Sequence, residues 1–158
     1  MPNQEIFHGH LLMINEVIIT PLKIIAVKGG DVLHGMKCSD EGFVEFGEAY
    51  FSIAESKVIK AWKRHHRMTL NLIVPVGRIR FVIYDDRPES STIGQFQEVT
   101  LSKQNYSRLT IPPMVWFGFQ GTDDSSSMLL NIASILHQPE EAEKKDLKEF
   151  KFDWSLVK

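Results

Sequence analysis

Six of the eight residues from Lys60 to Arg67 carry a basic or imidazole side chain: Lys60, Lys63, Arg64, His65, His66 and Arg67. Val58 and Ile59 lead into this run, and a strand is expected over Val58 to Trp62. Period-two alternation then sets Ala61, Lys63 and His65 on one face. A histidine and a lysine so placed can share a proton transfer. One takes a proton from carbon while the other stabilises the oxyanion that forms. A lysine beside other cations and partly desolvated binds its proton less tightly and can itself be the base. Two other readings of the cluster stay open: a seat for a phosphate group, and a solvated strand edge.

Other chemistry-bearing residues are scattered. Asn71 could hydrogen-bond a hydroxyl or carbonyl, yet it stands between Leu70 and Leu72, so inward leucines would turn it outward. Tyr84, at a strand end, could donate a proton, stack on a base or simply pack. Trp62, Trp116, Phe117, Phe46 and Tyr50 form an aromatic set suited to core packing or to stacking on a sugar or base. His8 and His10 make a His-x-His pair with no third ligand near them, which favours a terminus or a dimer contact over zinc. His34 and His137 are isolated, and Cys38 reads as a partly buried structural thiol.

The elements that must position these groups are β-strands. Short runs recur at Leu22–Val27, Val32–Met36, Phe43–Phe51, Leu70–Val76, Arg78–Tyr84, Phe96–Leu101, Arg108–Ile111, Trp116–Phe119 and Met128–Ile132. Turn residues such as Gly29-Gly30-Asp31 and Asp85-Asp86-Arg87-Pro88 separate them. About ten strands at that spacing imply an all-β sandwich or small barrel. Val76-Gly77-Arg78 reads as a tight hairpin, and Asp123 to Ser127 as a loop. Pro139 to Asp146, with acids first and lysines later, reads as a short helix that is stable only when docked.

The 158 residues are one domain's worth of chain, 43% hydrophobic and 24% charged. A net charge of −2 supplies no basic field for nucleic acid. One cysteine permits no internal disulfide, no stretch is apolar enough to span a bilayer, and the N-terminus lacks the pattern of a signal peptide. The expectation is therefore a cytoplasmic protein without membrane or nucleic-acid partners.

Lys63-Arg64-His65 with Gly77, and Pro112-Pro113 to Phe117, resemble the two sequence frames of the cupins in altered form. Of the metal-ligand slots in these frames only His65 keeps a ligand type, so no metal is expected. Within the cupins, the series Asp40-Glu41-Gly42-Phe43, Gly47 to Phe51, Val58 to Lys63, Pro75-Val76-Gly77, Tyr84 to Arg87, and Leu109 to Pro113 with Trp116 to Phe119 resembles the dTDP-4-dehydrorhamnose 3,5-epimerase family. That resemblance implies a cupin-type β-barrel, or jelly roll, over residues 1–158. It implies N-terminal strands (1–57) that cross to a dimer partner, a barrel core (58–137) and a tail (138–158). The segment Phe43 to Phe51 is the candidate crossing strand.

The resemblance also implies an epimerase or isomerase of a nucleoside-diphosphate 4-keto-6-deoxy sugar. Such an enzyme would work through an enolate in surface polysaccharide or lipopolysaccharide synthesis, without cofactor. The family's general-base His falls on Lys63, its enolate-stabilising Lys near Leu70, and its reprotonating Tyr near Leu130 or Asn131. Lys63 and His65 are then the candidate catalytic pair. Phe46, Glu48, Lys60, Arg67, Asn71, Tyr84 and Trp116 are the candidate substrate-binding residues. Lys60 stands where the family has a substrate-binding Arg, and Glu48 matches an acid that holds the sugar nucleotide. A second reading is a sugar-nucleotide-binding cupin without turnover, and a third is a cupin for another small molecule.

Overall fold

The computed structural model describes residues 13–156. Twelve strands run in chain order: β1 (Ile18–Pro21), β2 (Ile24–Ile25), β3 (Val32–Leu33), β4 (Glu48–Ala54), β5 (Ile59–His65) and β6 (Leu70–Val76) come first. They are followed by β7 (Arg78–Tyr84), β8 (Phe96–Ser102), β9 (Ser107–Ile111), β10 (Trp116–Gly121), β11 (Ser127–Ala133) and β12 (Ala142–Lys144). Ten of them form two five-stranded antiparallel sheets, ordered β1-β9-β6-β11-β4 and β12-β5-β10-β7-β8. The expected all-β jelly-roll barrel is the fold observed. His8 and His10 lie outside the described residues.

Three local expectations change. β6 and β7 lie in different sheets, so Val76-Gly77-Arg78 is a corner and not a hairpin. Gly77 has a φ of +82°, and a Cβ there would lie 2.6 Å from the Cβ of Ser127. Glycine is needed at this position for both its left-handed backbone and the close approach of β11. The expected C-terminal helix is a single 3-10 turn, Pro139–Glu141, followed by β12, which pairs with β5. Strand pairing and burial of Glu141 override a helical preference too short to stand alone. Cys38 is exposed rather than partly buried.

The apolar interior fills one side of the barrel. Leu72 and Val74 of β6, Ile79, Phe81 and Ile83 of β7, Val99 and Leu101 of β8, and Leu109 and Ile111 of β9 are buried there. A second cluster, Trp62, Val82, Trp116 and Trp154 with Tyr84, Phe96, Phe150 and Phe152, packs the tail against the second sheet. The Trp62 indole N–H donates to the Leu147 carbonyl at 3.2 Å, which pins the tail over β5. Packing on one side only leaves space between the sheets at the other side, toward β4, β5 and β12.

Candidate active site

That space is a cavity of about 420 Å³, within the range of small-molecule sites. Lys60, Ala61, Trp62, Lys63 and His65 of β5, Phe117 and Phe119 of β10, and Lys144 of β12 line it from the second sheet. Tyr50 and Ser52 of β4, Leu70 and Leu72 of β6, and Leu129 and Asn131 of β11 line it from the first. The expectation that Ala61, Lys63 and His65 share the barrel-facing side is met. Lys60 joins them because β5 bulges against β10, with Phe117 opposite Lys63 but Phe119 opposite Lys60. Three residues of β5 thus span two of β10, which shifts the pleat by one.

His65 is buried, and its Nδ1 lies 2.6 Å from Oε2 of Glu141. Glu141 is itself buried, and its Oε1 accepts the backbone N–H of Arg67 at 2.6 Å and of Met68 at 2.9 Å. Burial works against the carboxylate, but the Arg67 amide, the His65 ring and the Met68 amide together hold its pKa below the usual glutamate value. Burial also lowers the pKa of His65, and Lys63 adds to this, although the Glu141 hydrogen bond opposes both. The net state at neutral pH is a carboxylate and a neutral imidazole. The imidazole donates its Nδ1 proton to Glu141, which leaves Nε2 as the acceptor. Among the described residues Nε2 has no hydrogen-bond partner.

Lys63 is half-buried, and its pKa is lowered by burial first and then by Lys144, which pairs with it across β12 and β5. Lys60 Nζ reaches the Ile53 carbonyl at 3.2 Å and lies 5.9 Å from the Phe119 ring centroid. The cavity therefore joins an apolar floor, three lysines and one histidine held as a base. Such a lining can take a proton from carbon and steady an anion beside it. Among the described residues no group of three His, Cys, Asp or Glu is placed to hold a metal ion.

Of the other candidates, none reaches the cavity of this chain. Asn71 faces the outside of its sheet, donating to the Gly42 carbonyl at 3.0 Å and accepting from Thr110 Oγ1 at 2.7 Å. The inward leucines on either side of it decide that orientation. Tyr84 packs between Phe96 and Phe150 in the aromatic cluster, its ring tilted against both. Trp116 is fully buried there, its indole donating to Asp86 at 2.9 Å with Arg64 over its ring. Arg67 donates to Gln138 Oε1 at 3.0 Å. Glu48 accepts the His137 amide at 3.1 Å, and Phe46 is exposed.

Glu141 and Lys144 enter the site without having been singled out for it, whereas Tyr50 had been read only as an aromatic for packing or stacking and Asn131 only as a position near the family's tyrosine. Glu141 and Lys144 sat inside the expected helix, and no spacing rule links them to β5. Tyr50 and Ser52 did carry a signal, the period-two alternation of a strand with one face turned inward.

A family profile described as dTDP-4-dehydrorhamnose 3,5-epimerase matches residues 36–157. The chain belongs to this family. The crystal structure of a dTDP sugar isomerase from Desulfovibrio desulfuricans G20 superposes with a TM-score of 0.87 at 38% identity, over 90% of this chain and 94% of that one. A "probable low-salt glycan biosynthesis epimerase" of Haloferax volcanii is 29% identical over 81% of this chain and 83% of its own length. A spore coat polysaccharide biosynthesis protein of Bacillus subtilis is 26% identical over 73% of this chain and 80% of its own. The cupin-type barrel is thus a family property, and no helix of the described residues is long and apolar enough to cross a membrane.

Proposed function

We propose that the protein epimerises a nucleoside-diphosphate 4-keto-6-deoxy sugar for polysaccharide or glycan synthesis. The observation that carries this is the pairing of His65 with Glu141 on the wall that also presents Lys63. His65 Nε2 takes the proton alpha to the ketone, and the electron pair moves onto the carbonyl oxygen. Protonated Lys63 stabilises that oxyanion. Lys60 and Lys144 add positive charge suited to the diphosphate, and the leucine and phenylalanine floor suits the 6-methyl group. Family membership and the roles of the relatives in glycan and spore coat polysaccharide synthesis support the substrate class.

The test is deuterium uptake from D2O into dTDP-, GDP- and CDP-linked 4-keto-6-deoxy sugars, read by mass spectrometry, with binding measured in parallel. The wild-type protein is expected to incorporate deuterium alpha to the ketone. Binding without uptake would make it a sugar-nucleotide-binding cupin instead.

The same reading includes a homodimer. Residues 48–51 of the candidate crossing segment, Phe43 to Phe51, lie in β4, which pairs with β11 of the same chain. Among the described residues the other edge of β4 is unpaired, and Phe51 and Ile53 beside it are 62% and 50% exposed. A second copy on this edge would cover them and bring Phe46 and Glu48 toward a neighbouring cavity. Sedimentation should show a dimer that Phe51→Glu converts to monomer, and a wild-type monomer would overturn the arrangement.

A further inference from the structure

The first-sheet wall of the cavity divides by strand. β6 offers Leu70 and Leu72 and β11 adds Leu129, whereas Tyr50 and Ser52 of β4 and Asn131 of β11 make a polar corner. The register places Leu72, Asn131 and Tyr50 side by side in one row. Asn131 is only 5% exposed, so its amide must find its partners inside the barrel. Its Nδ2 donates to the Tyr50 hydroxyl at 2.8 Å, but its Oδ1 is buried with no hydrogen-bond partner among the described residues. With the amide turned over, Tyr50 would donate to Oδ1 and Nδ2 would be left over, so one polar atom is unmatched in either orientation. The fold does not require this, because Leu129 fills the neighbouring inward position of the same strand. A buried polar atom left unpaired destabilises the free protein, and a ligand that pairs with it removes that cost.

We propose that Asn131 reads the C2 hydroxyl of the sugar and selects 2-hydroxy over 2-deoxy substrates. The inference rests on the reading of the cavity as a 4-keto-6-deoxy sugar site. The 6-methyl group belongs against the leucines, and in a pyranose ring C5, which carries it, lies directly across from C2. A methyl group on Leu72 therefore turns the C2 edge toward the next strand, where Asn131 stands in the same row. The facing wall keeps the ketone and the alpha carbon beside Lys63 and His65. A hydroxyl both gives and takes hydrogen bonds, so it satisfies whichever amide atom faces the cavity. An amide relays no proton at neutral pH, so the part of Asn131 is recognition. A site that hydrogen-bonds a hydroxyl discriminates against the analogue lacking it, because its own buried group is then left unpaired.

Wild type and Asn131→Leu are compared on dTDP-4-keto-6-deoxyglucose and on its 2-deoxy counterpart. The readouts are kcat/KM for deuterium uptake alpha to the ketone, and equilibrium binding, for each protein with each sugar. Wild type is expected to favour the 2-hydroxy sugar by about 10- to 100-fold, and Asn131→Leu by no more than about threefold. The ratio is decisive, since a general loss of packing slows both substrates alike and leaves it unmoved. A wild-type ratio near one would overturn the proposal, even if Asn131→Leu fails to fold. So would a preference that the variant retains. A wild type that binds neither sugar would overturn the substrate reading, and this inference with it. If both sugars bind and neither exchanges, the proton-transfer reading fails on its own, and the ratio of affinities decides the role of Asn131.

Discussion

His65→Asn is expected to slow deuterium uptake alpha to the ketone by about 100- to 10,000-fold, the usual range for a positioned general base. Lys63→Met should cost about 100- to 1,000-fold, as loss of one oxyanion-stabilising group does. The two variants divide the roles that the residue pattern alone left open. If His65 is the base, the wild-type rate rises with pH as the imidazole loses its proton. Burial lowers that pKa, so the rise comes below the ordinary histidine value near 6.5. The rate falls again on the alkaline side as Lys63 deprotonates. Burial and Lys144 bring that fall below the ordinary lysine value of 10.5. Uptake that survives in His65→Asn but vanishes in Lys63→Met would reverse the assignment and make Lys63 the base. The readout is the pH profile of exchange for all three proteins, with nucleotide-sugar binding measured in parallel.

The barrel itself was legible because strand signals are local. Apolar alternation and turn residues marked Leu70–Val76 and Arg78–Tyr84 at the bounds the structure shows. Part of the site followed from the same period, since a two-residue repeat is enough to put Lys63 beside His65. Lys60 required the β5 bulge, which arises from pairing with β10 and has no local mark. Tyr84 and Trp116 read as possible substrate contacts because aromatic side chains serve packing and recognition with the same chemistry. Only the tail residues Phe150, Phe152 and Trp154, folded over them, commit them to packing.

Glu141 shows why the rest was hidden. It meets His65 across 76 positions of sequence, in a segment whose charges read as a helix. Its position follows from what burial demands. A carboxylate can leave water only where donors replace the solvent, and here two backbone amides and the imidazole do so. The turn at Pro139–Glu141 is the backbone's accommodation to that requirement.

Removal of the carboxylate should therefore act on stability and on chemistry in separable ways. Glu141→Ala leaves the buried Met68 amide, the part-buried Arg67 amide and a buried ring N–H without their acceptor. Two buried donors orphaned at about 1–3 kcal/mol each, with the part-buried Arg67 amide adding less, cost about 3–5 kcal/mol in all. For a chain of this size that lowers Tm by about 6–20 °C. Glu141→Gln keeps the volume and one carbonyl acceptor, so it should fold with a smaller loss. Its amide, however, can donate to Nδ1, which moves the imidazole proton to Nε2. The atom that must accept a proton from carbon is then already protonated, and exchange should fall about 1,000- to 10,000-fold despite an intact fold.

The carboxylate also sets a sign for the pH dependence of stability. Its folded pKa lies below the ordinary value of 4.5. Its contribution is thus complete above that value and is lost as pH falls through the folded pKa. Wild type should lose stability on acidification in that window, and Glu141→Gln should lack that component. Urea unfolding at a series of pH values distinguishes the two, with exchange measured on the same samples. If Glu141→Gln were fully active, the carboxylate would be a structural anchor only, and His65 would not depend on it for its tautomer.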